Sequence, residues 1–300
     1  MRAVVDIGSN SIKYTLERSR GDASSCLSDS RVIALGKGLK AGSPLSAEAL
    51  ARLDAALKSF APALAPCAGQ LVVVGTAALR NCSNPEAARE LVQRHLGVPL
   101  HIIPGEREAE LSFLGASLNS TFQNPLCVDV GGASTEVGLT RGSQLTSVPW
   151  GALRVHENIL RSEVPVTPAV WRNAQTQLDQ LFAAEMHQLD GIDGTQIDGV
   201  LAIGGSLMMC AKSLYPEQRG AKTVTVSRAR LREFHDRVAA TALTPRIAEL
   251  GFSADRADIA CAGLMCLFAA IHSYPELDRM VITEGGLRSG VFERWPDFAV

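Results

Sequence analysis

The stretch CVDVGGASTEVGL, residues 127–139, sets an Asp, a Ser, a Thr and a Glu around a glycine pair. An apolar run enters a turn of small residues and a second apolar run leaves it, which reads as a strand–turn–strand hairpin. In such a turn several backbone N–H groups can converge on one anion, and Gly131 and Gly132 let a phosphate approach closely. The hydroxyls of Ser134 and Thr135 add donors, and Asp129, at the end of the entering strand, could hold Mg²⁺ through its waters. Taken alone, the loop reads more simply as an ordinary hairpin turn whose Asp accepts turn hydrogen bonds.

A second copy tilts that balance. VDIGSNSIKYTL, residues 5–16, overlays VDVGGASTEVGL, residues 128–139, pairing Asp6 with Asp129, Gly8 with Gly131, Ser11 with Ser134 and Leu16 with Leu139. A repeat of this size predicts two duplicated domains with their loops facing each other. Gly8, Ser9, Asn10 and Ser11 then belong to one phosphate loop, and Gly131, Gly132, Ala133, Ser134 and Thr135 to the other. Asp6 and Asp129 become the metal candidates. Gly204 and Gly205, in AIGGS, follow an apolar strand and open a helix; they suit a second anion or nucleotide loop, or a close strand–helix turn. The glycines of TEGGL have the same two readings, and neither site is the GxGxxG fingerprint of a dinucleotide fold.

Elements that position these loops follow from the hydrophobic periodicity. Strands are predicted at residues 3–7, 13–17, 31–35, 71–75, 100–103, 126–130, 136–140, 145–149, 200–203 and 280–283. Ser46 caps a helix carrying Leu50, Leu53, Leu57 and Phe60 on one face, Asn84-Pro85 opens another that Gly97 closes, and residues 106–118 form a third. Alternation of this kind predicts an α/β fold. Residues 1–122 make the first domain, completed by a C-terminal helix at about 287–300, and residues 123–286 the second, the boundary falling near 119–124.

Hydrophobic residues are 46% of the chain, charged ones 20%, and the formal net charge is −2, so nothing global favours nucleic acid or an anionic membrane. Seven cysteines without a CxxC pair suit reduced thiols in a cytoplasmic protein, and Cys261 and Cys266 read as core thiols. The N-terminal apolar run is too short for a signal peptide, and residues 259–271 read as a buried helix rather than a span. No paired histidine spacing suggests a metal site. Arg228, Arg230 and Arg232 offer either an anion track or a solvated helix face.

With VVGTAALRNCSN, IIPGEREAELSFLGA, VPWGALRVHENIL, LAIGGS and RADIACAGL in order between and after the two loops, the chain resembles the exopolyphosphatase / guanosine pentaphosphate phosphohydrolase family. That resemblance implies two actin-like, ribonuclease H-like domains with a cleft between them. It also implies a Mg²⁺-dependent hydrolase acting on polyphosphate or guanosine pentaphosphate. Residue by residue, it carries the catalytic base onto Glu108, water positioning onto Glu136, and a phosphate-binding arginine onto Arg80. Family members often form homodimers, and the chain looks like a short form without appended helical domains. Three residues depart from the family pattern: Pro104, Arg107 beside the implied base, and Ala133 in the second loop. Arg107 could lower the pKa of Glu108 or contact phosphate, and Ala133 is costly only if its φ is positive. Two other functions suit the same fold. One is an ATP-dependent small-molecule kinase; the other is a non-catalytic sensor of guanosine tetra- or pentaphosphate.

Overall fold

The computed structural model describes residues 1–19, 26–118, 120–139, 144–161, 164–189 and 194–298. The first half runs β1 (Arg2–Ile7), β2 (Ser11–Glu17), β3 (Cys26–Val32), α1 (Ala47–Leu64) and β4 (Leu71–Gly75). It continues with α2 (Ala77–Asn81), α3 (Pro85–Leu96), β5 (Leu100–Ile102) and α4 (Gly105–Ser117). The second half runs β6 (Leu126–Val130), β7 (Thr135–Leu139), β8 (Leu145–Val148), α5 (Ala152–Asn158), α6 (Pro168–Glu185), β9 (Val200–Ile203) and α7 (Gly205–Leu214). It ends with β10 (Thr223–Ser227), α8 (Arg228–Ala240), α9 (Leu243–Ala248), α10 (Ala260–Ala270), β11 (Arg279–Thr283) and α11 (Leu287–Glu293).

Two sheets carry the repeat. The first has the order β3-β2-β1-β4-β5, with β1, β2 and β3 antiparallel and β4 and β5 parallel to β1. The second has the order β8-β7-β6-β9-β11-β10, and its first five strands repeat the same pattern of directions. Among the strands of the described residues, β10, antiparallel on the edge beside β11, is the one without a counterpart. The central strands are Val-rich and buried on both faces, as a sheet covered by helices requires.

Helix α4 lies between the two sheets. Its Leu111 packs with Val4, Val72 and Val74 of the first sheet, while Ala109, Phe113 and Ala116, at helical spacing, pack with Cys127, Leu201 and Val281 of the second. Helix α11 returns to α4 and β1, adding Leu287 and Val291 to the first-sheet cluster. The two helices touch backbone to backbone, and a Cβ on Gly115 or Gly290 would run into the other helix. On this packing we propose that residues 1–122 together with α11 form one unit and residues 123–286 the other.

Several sequence expectations are corrected. The strand expected at 31–35 is β3, five residues earlier at its start, in register with β2 from Ser11↔Val32 to Glu17↔Cys26. The chain leaves the sheet at Ala34, whose φ is 42°, so Ile33 and Leu35 are apolar because they enter the core from a loop. The strand β10 was missed, although Val224 and Val226 alternate with Thr223 and Thr225 and are the buried pair. Asn84 precedes α3 without a side-chain cap; its side-chain Oδ1 instead accepts from the Leu45 N–H at 2.7 Å. Gly97 closes that helix with φ 70°, as expected. Thr140, at the end of one predicted strand, and Asn119, in the predicted boundary, lie outside the described residues. Arg228, Arg230 and Arg232 form no anion track: Arg228 donates to the Tyr274 carbonyl, Arg230 pairs with Glu233, and Arg232 lies 3.9 Å from the Phe268 ring centre. Cys261 and Cys266 are buried and carry thiols rather than a disulfide.

Candidate active site

The two hairpins fold alike in detail. Gly8 N–H donates to the Ser11 carbonyl at 3.0 Å, and Gly131 N–H to the Ser134 carbonyl at 3.0 Å. A Cβ added to either glycine would lie 3.0 Å from that same carbonyl oxygen. Each loop is also held from behind at corresponding places. After β3, the N–H groups of Ile33 and Ala34 donate to the Asn10 carbonyl and that of Gly36 to the Ser9 carbonyl. After β8, Ala152 N–H donates to the Gly131 carbonyl, and Leu153 and Arg154 donate to Gly132. Among the described residues, the N–H groups of Ser9, Asn10, Gly132, Ala133 and Ser134 donate to no backbone carbonyl. Successive N–H groups left over in a turn are the donors that an anion-binding nest would use.

The loops meet. A Cβ on Gly132 would stand 3.2 Å from both the N and the Cβ of Asn10. Ala133 is not among the non-glycine residues with positive φ, so the departure from the family pattern brings no backbone strain. Gly151, in the VPWGALR segment, does need to be glycine: a Cβ there would lie 2.6 Å from the Gly131 carbonyl oxygen and 2.7 Å from Ser134 N. No local pattern in the sequence marks it.

A cleft of about 810 Å³ opens between the sheets. Asp6, Gly8, Ser9, Asn10, Ser11, Glu108, Asp129, Gly131, Gly132, Ala133, Ser134, Gly204 and Gly205 line it, bringing together most of the residues singled out in the sequence. Gly204, with φ 149°, turns β9 into α7 beside the second loop. Arg80, Thr135 and Glu136 stand behind the lining. Arg80 donates to Glu108 Oε2 at 2.5 Å and to the Ile103 carbonyl at 3.0 Å. The Thr135 hydroxyl donates to the Trp150 carbonyl, and Ser147 Oγ donates to Glu136 Oε1 at 2.8 Å. Arg107, one residue before Glu108, turns away from the cleft and pairs with Glu110 and Asp297. It therefore neither contacts the phosphate loops nor sets the charge on Glu108.

Sequence reasoning missed the cations. Lys13, Arg256 and Arg288 line the same cleft. Lys13 stands opposite Asp6 across β1 and β2, the position that Glu136 holds opposite Asp129 across β6 and β7. Arg288 Nη1 lies 3.8 Å from Asp6 Oδ2 and its Nε donates to Thr15 Oγ1 at 2.8 Å. Arg256 Nη2 donates across the cleft to Ser30 Oγ at 3.2 Å. The overlay of the two copies already set Lys13 on Glu136; Arg256 and Arg288 come from distant segments that only the fold assembles.

Burial dominates the electrostatics. It raises the pKa values of Asp6 and Asp129, against the pull of Lys13 on both. Burial and the Glu136 charge push Glu108 well up, opposed by Arg80. Glu136 is pushed up to about 7 by burial and then by Asp129. Lys13 is pushed down to about 8 by burial and by Arg288. Asp6 and Asp129 offer hard oxygen donors, and no group of three or more His, Cys, Asp or Glu side chains is placed to chelate an ion among the described residues. That set suits a cation such as Mg²⁺, which keeps several waters and shares phosphate oxygens rather than filling an all-protein cage.

A strand order used twice, with facing hairpin loops and a cleft between the halves, defines an actin-like fold. Residues 17–297 match the model of the Ppx/GppA phosphatase family, and the chain belongs to that family. A guanosine-5'-triphosphate,3'-diphosphate pyrophosphatase of Vibrio campbellii is 29% identical over 300 residues, covering 96% of this chain and 58% of the relative. The chain thus spans 58% of the length of that curated relative. Among solved structures, an exopolyphosphatase-like protein superposes with a TM-score of 0.87 at 24% identity, covering 99% of each chain. An exopolyphosphatase from Cytophaga hutchinsonii superposes with a TM-score of 0.82 at 19% identity, covering 98% of this chain and 97% of the other. At these identities the two structures speak for the fold. No helix among the described residues is long and apolar enough to cross a membrane.

Proposed function

We propose that the chain is a phosphohydrolase releasing terminal phosphate from inorganic polyphosphate or guanosine pentaphosphate. The observation that carries this reading is the placement of Glu108. It sits in the first turn of α4 and opens onto the cleft that both nests line, with its carboxylate fixed by Arg80. A phosphoryl group held between the nests has its oxygens neutralised by N–H donors and by Lys13 and Arg288, and needs an in-line water. Glu108 takes that water's proton. Its raised pKa keeps it basic enough to accept one, and Arg80 keeps its carboxylate aimed. Glu136, hydrogen-bonded to Ser147 behind the lining, acts on the water through Glu108 and Asp129. Bound at Asp6 and Asp129, Mg²⁺ would supply further charge neutralisation on the phosphate oxygens.

The reading is tested by phosphate release from tripolyphosphate, long polyphosphate and guanosine pentaphosphate, measured side by side. Glu108→Gln should fold normally and lower the rate by roughly 10²–10⁴-fold, the usual share of a general base. Near-normal turnover would remove Glu108 from the mechanism.

A further inference from the structure

Beyond the nests the cleft continues outward between β3, with Cys26, Ser28 and Ser30, and the wall carrying Lys212, Lys222 and Glu284. Helix α7 sets the scale of this extension. It starts beside the second loop, where a Cβ on Gly204 would stand 2.9 Å from the Val130 carbonyl oxygen. Lys212 follows Gly205 by seven residues, roughly 10 Å further along the helix axis at about 1.5 Å per residue. At that outer end the Lys212 ammonium donates to Glu284 Oε1 at 2.5 Å.

Glu284 is firmly placed. It directly follows β11, and its N–H donates to the Lys222 carbonyl at 2.9 Å. Its charge acts on Arg288, the residue whose guanidinium also faces Asp6. A substrate chain entering this part of the cleft thus meets, besides Lys13 and Arg288, a carboxylate that already occupies Lys212. Extended polyanions favour an uninterrupted cationic path, and a carboxylate set into the path discriminates against them by repulsion.

Resting on the hydrolase reading above, we propose that Glu284, held by Lys212, is a specificity-determining residue. It admits short phosphoanhydrides and disfavours a polyphosphate chain long enough to run past Arg288. A long chain must either lie beside an ionised carboxylate or separate it from Lys212. Glu284 is half-exposed, its side chain 47% accessible, so the discrimination is moderate and is weakened by salt.

The test is the ratio of kcat/KM for long polyphosphate to that for tripolyphosphate at low and high ionic strength. Glu284→Gln should raise this ratio about 3- to 10-fold at low salt, and the gain should shrink at high salt. Lys212→Gln, which leaves Glu284 ionised and unpaired, should lower it. An unchanged ratio in Glu284→Gln, or a shift in the same direction in both variants, would overturn the proposal. The same ratio of affinities, measured for the two chains in a Glu108→Gln background, reports on Glu284 independently of turnover. If the parent protein released no phosphate, the hydrolase reading would fail while the binding ratio still decided the role of Glu284.

Discussion

The β1–β2 and β6–β7 hairpins are one structure built twice with opposite chemistry at one position. Both close with the same glycine-to-serine hydrogen bond at 3.0 Å, both are tied from behind by N–H groups of the segment after the third strand, and both carry an Asp as the last residue but one of their first strand. They part at the residue across from that Asp, which is Lys13 in one and Glu136 in the other. Around Lys13 the fold gathers Arg288 and Arg256; around Glu136 it gathers Glu108 and Asp129. The scaffold presents the same hairpin turn on both sides, and the cross-strand residue sets whether a cation or a carboxylate stands opposite the Asp. In our reading the first hairpin grips phosphate and the second acts on water.

The sharpest way to break this division is at the two aspartates. Asp6 has Lys13 and Arg288 as close cationic partners, whereas Asp129 stands nearer the acidic pair. Asp129→Asn should raise the Mg²⁺ concentration needed for phosphate release by about 10- to 100-fold, and Asp6→Asn by less. An unchanged metal titration in Asp129→Asn would sink the metal assignment. A larger effect in Asp6→Asn would place the ion on the first hairpin.

The pH profile comes next in size. The carboxyl that assists the water must be ionised, and Glu136 titrates at about 7, so activity is lost as pH falls through that value. Lys13 is cationic only below about 8, so substrate binding weakens as pH rises through it. The expected kcat/KM profile is a bell with limbs near these values, each approaching about tenfold per pH unit. Glu136→Gln should move the acid limb to lower pH, because the Glu136 charge is one of the causes that raise Glu108, and Lys13→Met should remove the alkaline limb. Limbs unmoved in both variants would dissociate these residues from the profile.

The smallest contrast concerns the segments behind the loops. A Cβ on Gly151 would press on loop-two backbone at 2.6 to 2.7 Å, while one on Gly36 meets the Ser9 side chain at 3.1 Å. Gly151→Ala should cost about 1–3 kcal/mol in thermal unfolding, and Gly36→Ala under about 1 kcal/mol. Equal costs would mean that the second loop yields as easily as the first.

Much of this was legible in the sequence because local chemistry imposed it. The two Asp-x-Gly turns, the Gly97 helix stop and the apolar α10 each follow from residues within one element. The overlay of the two loops also predicted their facing geometry. What was hidden depends on distant segments. Arg288 reaches Asp6 only because α11 returns to β1, and Gly151 is required only because α5 starts on the second loop. Arg107 shows the limit of reading neighbours in sequence as neighbours in space: it adjoins Glu108 in the chain, yet Asp297 and Glu110 draw it to the other side of α4. The shifted bounds of the strand expected at 31–35 arose in the same way, since buried Ile33 and Leu35 carry a strand's apolar signature into a loop.

The division of labour between the hairpins is tested most directly by comparing Lys13→Met with Glu136→Gln for substrate affinity and for kcat. Our account predicts that Glu136→Gln binds substrate about as well as the parent protein while kcat falls by roughly 10²–10⁴-fold. Lys13→Met should lose about tenfold in affinity and much less in kcat. Parallel losses of affinity and turnover in both variants would contradict the account, because the two hairpins would then be doing the same work.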